Sequence, residues 1–212
     1  MLTREFYLRD ANLVAPELLG KILVHKTGEE TTAGMIVEVE SYLGPEDKGA
    51  HSYGNRKSER TKIQYGPGGY AYIFAIYGMH WCFNAVTNGP EKPEAILVRA
   101  LEPVEGIGLM KCRRGTEKLN DLCNGPGKLC QALGITKAQY GADLCGEELY
   151  IADYRSFTDG EIAVSPRINI DYAEEWKDRL WRYYVKGNPH VSKVPKRYQT
   201  GLMLKDIKQE KG

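Results

Sequence analysis

From Met35 to Leu43 the chain alternates as a β-strand does, with Val37, Val39 and Leu43 on one face and Glu38, Glu40 and Tyr42 on the other. A face carrying two carboxylates and an aromatic ring is either solvated surface or the wall of a polar site. Gly44-Pro45 ends the strand, because proline cannot donate to a ladder, and the turn delivers His51 nine residues after Tyr42. Upstream, KILVHK (21–26) is a short strand that joins the long one through a polar turn at Glu29-Glu30, predicting a hairpin. Residues 1–20 predict an arm and then a helix, with Asp10 or Asn12 as cap and Leu13, Leu18 and Leu19 on the apolar side.

Downstream, residues 44–69 are loop-rich, and YAYIFAIYGMHWCFNAV (70–86) sets two aromatic and β-branched segments around Tyr77-Gly78-Met79-His80, where glycine supplies the turn of a second hairpin. AILVRAL (95–101) is a buried strand interrupted by Arg99. Residues 103–123 predict a helix bearing Lys111, Arg113 and Arg114. NGPGKLCQALGI (124–135) follows, with proline near a helix start and Gly134 as its stop. ELYIADY (148–154) is strand-like, and IAVSPRINIDYA (162–173) supplies one or two further strands. The eighteen residues from Pro195 are rich in lysine and arginine with little core material, which predicts a loose charged tail behind a single domain over 1–194. No repeat or low-complexity linker divides the chain.

Composition narrows the picture without redirecting it. At 212 residues, 42% apolar and 27% charged, the chain can bury a proper core as one domain. Its 29 basic and 28 acidic side chains leave a net charge of +1, so any polyanion must be bound by local clusters and not by a global field. Fourteen tyrosines against four phenylalanines favour wet interfaces and base stacking over dry cores. The five cysteines form no CxxC pair and no zinc-like spacing, which predicts free thiols in a reducing compartment and no metal. The first ten residues are charged too early for a secretory signal, and no apolar run nears the roughly 20 residues that span a bilayer. The expectation is an intracellular protein without a membrane partner.

Three features carry candidate chemistry. A guanidinium in a buried strand is costly unless paired, so Arg99 calls for a carboxylate from the Glu38/Glu40 face, in a structural or a catalytic pair. The tip Tyr77, Met79 and His80 is either a projecting contact surface or folds back as core. Arg56, Lys57, Arg60 and Lys62 follow His51 as a basic loop, and Lys128 stands at a helix start suited to phosphate, although the spacing is not that of a P-loop.

GMIVEVESYLGPEDKGAHS, YIFAIYGMHWCFN, ILVRALEP, LCNGPGKLCQALGI and YYVKGNPHVS, in that order over about residues 5–194, closely resemble the alkyladenine (3-methyladenine) DNA glycosylase family. The resemblance implies an α+β fold, one compact domain with a curved antiparallel sheet, flanking helices and a protruding β-hairpin that inserts into the DNA minor groove. It implies Glu40 as the general base that activates water and Arg99 as its partner. Tyr42, His51 and Phe74 become walls around a flipped base, Phe74 lacking the hydroxyl that some relatives carry. Asn84 becomes the pocket floor that disfavours the guanine 2-amino group, with Leu97 beside it. Tyr77 becomes the intercalating wedge, flanked by Met79 and His80, while Arg56, Arg60 and Lys128 meet phosphates. A backbone carbonyl near Ile168–Ile170 completes the water site. The implied partner is double-stranded DNA containing damaged purines, bound by a monomer without a cofactor.

The chemistry of such a reaction fits these residue types. Glycosidic cleavage passes through an oxocarbenium-like state that a carboxylate stabilises. Glu40 and Tyr42, two apart on one strand, face the same way at roughly 6–7 Å. A base buried in a duplex must be extruded, and a wedge replaces its lost stacking. Two other readings stay open: a damage-recognition protein with little catalysis, and a hydrolase of free nucleosides using Glu38 and Glu40.

Overall fold

The computed structural model describes residues 1–209. Eight strands form one antiparallel sheet: β1 Ile22–Thr27, β2 Glu30–Leu43, β3 Ala71–Ile76, β4 His80–Thr87, β5 Glu94–Glu105, β6 Leu149–Ala152, β7 Ile162–Ser165 and β8 Arg182–Val185. Their order is β3-β4-β5-β2-β1-β6, and β8 pairs with both β2 and β7. Five helices flank the sheet: α1 Arg4–Tyr7, α2 Ala11–Leu18, α3 Ile107–Arg114, α4 Pro126–Leu133 and α5 Leu204–Gln209. This is the α+β arrangement expected, and none of its helices is long and apolar enough to cross a membrane among the described residues.

The long strand β2 starts earlier than its clearest alternation, at Glu30, because the two-residue turn Gly28-Glu29 pairs Thr27 with Glu30 at once. Its N-terminal half is paired to β1, while Glu38–Glu40 lie between β5 and β8. The open question about the Glu38/Glu40 face is thereby answered: both side chains are fully buried, and the surface is no solvated one. Three register shifts interrupt the pairing with β5, two of them beside the carboxylates. The register steps from Ile36↔Leu101 to Glu38↔Ala100 and then to Val39↔Val98, leaving Val37 and Arg99 as the extra residues. A bulge re-aims the side chain it carries, here the arginine.

Local chemistry fixes the helices. Asp10 caps α2, its Oδ1 accepting from Asn12 N at 2.8 Å. In α4 Pro126 occupies the first turn, and Gly134, at φ 71°, ends it while Ile135 N donates to Cys130 O at 2.8 Å. The apolar side of α4 (Leu129, Cys130, Leu133) joins Phe83 and Leu101 in the main core. All five cysteines are free thiols.

Of the one or two strands expected within 162–173, one forms, Ile162–Ser165; beyond Pro166 the chain is irregular, with Asn169 in the left-handed region at φ 58°. One expectation needs correction: the chain is not loose from Pro195 to 209. Tyr198, Met203 and Leu204 are buried, Met203 bridges Ala163, and Thr200 Oγ1 donates to Val164 O. The apolar residues scattered among the lysines are enough to dock the segment on β7; residues 210–212 of the expected tail lie outside the described residues.

Candidate active site and nucleic-acid interface

One row of paired residues crosses five strands. Tyr72 pairs with Asn84, Asn84 with Leu97, Leu97 with Glu40, and Glu40 with Arg182. Directly paired residues project to the same face of a sheet, so five side chains distant in sequence share one floor. A cavity of about 320 Å³ opens there, and Tyr42, His51, Phe74, Asn84, Leu97 and Arg99 all line it. Those sequence-predicted residues therefore converge on one place. Asn84 is buried with its Nδ2 donating to Tyr72 O at 3.0 Å.

Glu40 sits directly behind that wall, and each of its three partners lines the cavity. Its Oε1 accepts from Ile168 N at 2.7 Å; its Oε2 accepts from Tyr42 Oη at 2.9 Å and from Arg99 Nη1 at 3.2 Å. A carboxylate has about four lone-pair sites, so one acceptor position is left over. Burial first, and then the charge of Glu40, raise the Tyr42 hydroxyl well above its usual range, so it stays a donor. Arg99 serves both carboxylates: its Nε donates to Glu38 Oε1 at 3.0 Å. Burial works against the charge on Glu38, but the attraction of Arg99 and Arg182 outweighs it and holds Glu38 below the ordinary carboxylate range.

The aromatic walls divide into two sides. His51 and Phe74 meet edge to face at 4.6 Å, with Tyr72 5.4 Å from Phe74, so these rings form one side together. His51 Nδ1 lies 2.7 Å from Tyr72 Oη, and Arg60 Nη2 lies 2.7 Å from Nε2. The same Arg60 Nη2 lies 3.0 Å from Nδ1 as well, so the guanidinium rests against the ring and not on one nitrogen alone. Burial, followed by the nearby Arg60 and Arg56 charges, pushes the His51 pKa down to about 4, leaving a neutral ring. Tyr42 forms the other side, with Arg167 stacked 4.7 Å from its ring centre. Arg167 is itself buried and paired with Asp47, at 2.8 Å between Nη2 and Oδ1. Asp47 also accepts from Leu43 N and Gly49 N, which pins the turn that delivers His51.

The β3–β4 hairpin projects. Tyr77 is 84% exposed and Met79 74% exposed, with His80 exposed beside them. Tyr77 (φ 51°) and Gly78 (φ 70°) are both left-handed, and Met79 N closes the turn onto Ile76 O. Tyrosine rarely adopts that conformation, so the turn presents the ring at a local cost. The alternative that the tip folds back as core is ruled out by this exposure. The first turn of α4 packs near its base, Gly127 lying against His80, and Lys128 Nζ donates to Asn124 Oδ1 at 2.7 Å. Arg56 is exposed and borders a cleft with Lys48 and Tyr172 beside the cavity. Arg60 is exposed in the same cleft, with its guanidinium 4.9 Å over the Phe74 ring and against the His51 imidazole.

Several site residues escape the sequence reading. Tyr72 shares the Phe74 face two positions earlier, a period-two signal that was available. Arg182 interrupts LWRYYV as Arg99 interrupts ILVRAL, the same signature of a buried, paired cation. Arg167, Asp47 and Ser192 carry no local signal, since their partners are more than 100 residues away in sequence.

Comparison with known proteins identifies the family. Residues 5–189 match the family model for methylpurine-DNA glycosylase. A relative from Clostridium acetobutylicum, named "Putative 3-methyladenine DNA glycosylase", is 50% identical over 203 residues, covering 92% of this chain and 98% of its own. Relatives of the same name from Clostridium novyi and Bacillus cytotoxicus are 52% and 48% identical, covering 91% and 89% of this chain and 98% and 97% of theirs.

Proposed function

The chain belongs to the methylpurine-DNA glycosylase family, and from that premise we propose that it extrudes damaged purines from duplex DNA and hydrolyses their N-glycosidic bond with water activated by Glu40. It is a DNA glycosylase of the 3-methyladenine type, and its partner is DNA. The observation that carries the reading is the buried Glu40 carboxylate, oriented by Arg99, Tyr42 and Ile168, whose own atoms line an aromatic cavity.

In this mechanism Tyr77 enters the duplex and fills the gap left by the extruded nucleotide. The base slides between Tyr42 on one side and His51 with Phe74 on the other. As the glycosidic bond lengthens, its electron pair leaves with the base and positive charge grows on the sugar, facing the Glu40 carboxylate. Water bound at the remaining acceptor position of Glu40 attacks C1′ and passes its proton to the carboxylate, leaving a free base and an abasic sugar. Alkylated purines leave more readily because they are electron-poor, and deaminated purines are extruded more readily because they pair poorly. No lysine lines the cavity, so the supported chemistry is hydrolysis by water and not an imine that cleaves the strand. The enzyme acts as a monomer, with Arg56 and Lys128 at phosphates, contacts that position without specifying sequence.

The test is base release from a duplex oligonucleotide carrying one hypoxanthine or one ethenoadenine, with Glu40→Gln alongside. An alkali-labile abasic site from the wild type and none from the variant is the expected outcome; turnover by the variant would remove Glu40 from the role.

A further inference from the structure

The closing segment WRYYVKGNPHVS (181–192) has no part in the mechanism above, yet it reaches the site through one side chain. Arg182 Nε donates to Glu38 Oε1 at 2.7 Å. Ser192 donates twice, from its backbone N to Oε2 at 2.7 Å and from Oγ to Oε1 at 2.8 Å. Arg99 Nε reaches the same Oε1, so one guanidinium spans Glu38 and Glu40. Glu38 is fully buried, and protein groups alone answer its charge. Arg99 is the extra residue of its bulge, free of a ladder partner, and a side chain so released needs an anchor elsewhere.

Resting on the reading of Glu40 as the base, we propose that Glu38, clamped by Arg182 and Ser192, is a positioning residue that holds Arg99 against the Glu40 carboxylate and balances its charge. The groups that face this arrangement come from every neighbouring element. They are Arg99 from β5, Arg182 from β8, Glu40 and Tyr42 from β2, the Arg167–Asp47 pair, and Cys82 from β4, whose thiol burial pushes up to about 12. Across Glu38, Glu40, Arg99 and Arg182 the charges cancel. Making Glu38 neutral leaves an excess of one positive charge beside the reacting centre, so the acidic limb of the reaction moves to lower pH. Shortening Glu38 instead keeps the charge and spoils the reach.

The experiment is single-turnover base release from hypoxanthine-containing duplex as a function of pH, for wild type, Glu38→Gln, Glu38→Asp, Ser192→Ala and Glu40→Gln. DNA binding by anisotropy and thermal unfolding are measured on each. Folded Glu38→Gln is expected to bind DNA normally, to release base about 10- to 100-fold more slowly, and to show its acidic limb about 1 pH unit lower. Glu38→Asp should be slowed without that displacement, and Ser192→Ala slowed about 3- to 10-fold, with a lowered Tm but the fold and DNA binding kept. Wild-type rates and an unmoved limb in Glu38→Gln and Ser192→Ala, with Glu40→Gln inactive, overturn the proposal alone. Should Glu38→Gln not fold, Ser192→Ala decides by the same criterion. Base release by Glu40→Gln overturns the underlying reading and this proposal together.

Discussion

On the floor of the sheet, Glu38, Glu40, Arg99 and Arg182 place four formal charges in buried positions, while at the end of the β3–β4 hairpin Tyr77 and Met79 hold large apolar surface in solvent. Each region departs from the usual partition, in opposite senses. The charges are tolerable because every one is paired and hydrogen-bonded several times over, which also fixes their geometry. The hairpin tip has no such partners, and its tyrosine sits in a disfavoured backbone conformation. One region is satisfied within the protein, and the other leaves apolar surface without a partner. Preorganised electrostatics stabilise charge that develops in a reaction, whereas an exposed apolar tip gains only when something covers it.

Substitutions in the two regions should therefore fail differently. The largest effect is expected from Glu40→Gln, a loss of about 10²- to 10⁴-fold in single-turnover base release, with affinity for lesion DNA retained. Next comes Arg182→Ala, which strands the buried Glu38 charge; denaturant unfolding should register about 3–5 kcal/mol of lost stability. At the tip, Tyr77→Ala should slow release from duplex about 10- to 100-fold, as the loss of one stacking contact of ~1–3 kcal/mol implies. Its Tm should stay at the wild-type value, since the ring is 84% exposed; a fall in Tm matching the fall in activity would return Tyr77 to the core.

The smallest effect concerns pH. His51 has its folded pKa lowered to about 4 from 6.5, so the unfolded chain takes up the proton first as pH falls. Its contribution to stability is full above 6.5 and drains away between there and about 4. Glu38, also lowered, contributes fully above the unfolded carboxylate range and loses that contribution as pH falls through its folded value. Because Arg60 is one cause of the His51 shift, second to burial, Arg60→Ala should move the imidazole titration followed by NMR partway back toward 6.5. An unmoved titration would show that the contact with Arg60 does not form in solution.

Local pattern was enough for most of the elements. Alternation marks β2, the Asp10 cap and the Pro126 and Gly134 brackets mark α2 and α4, and Gly78 marks the hairpin turn, because each is settled by residues within a few positions of one another. The same logic made the 195–209 segment look like a tail, since its few apolar residues gain nothing until β7 is there to receive them. Which residues carry candidate chemistry was legible too, once the ordered motifs pointed to a family and the lone Arg99 in an apolar strand demanded a carboxylate.

What the sequence by itself determined, then, was most of the elements and the residue types of the site; the strand β8, the docking of 195–209 and the exposure of the tip came from the structure. Only the tertiary structure decided that Arg99 spans two carboxylates, that Arg182 and Ser192 secure one of them, and that Arg60 lies against His51. The reason is physical. Contacts across a sheet depend on strand order, register and bulges, which join residues as far apart as Glu38 and Ser192, and a single-residue slip in that register would redirect every side chain to the opposite face.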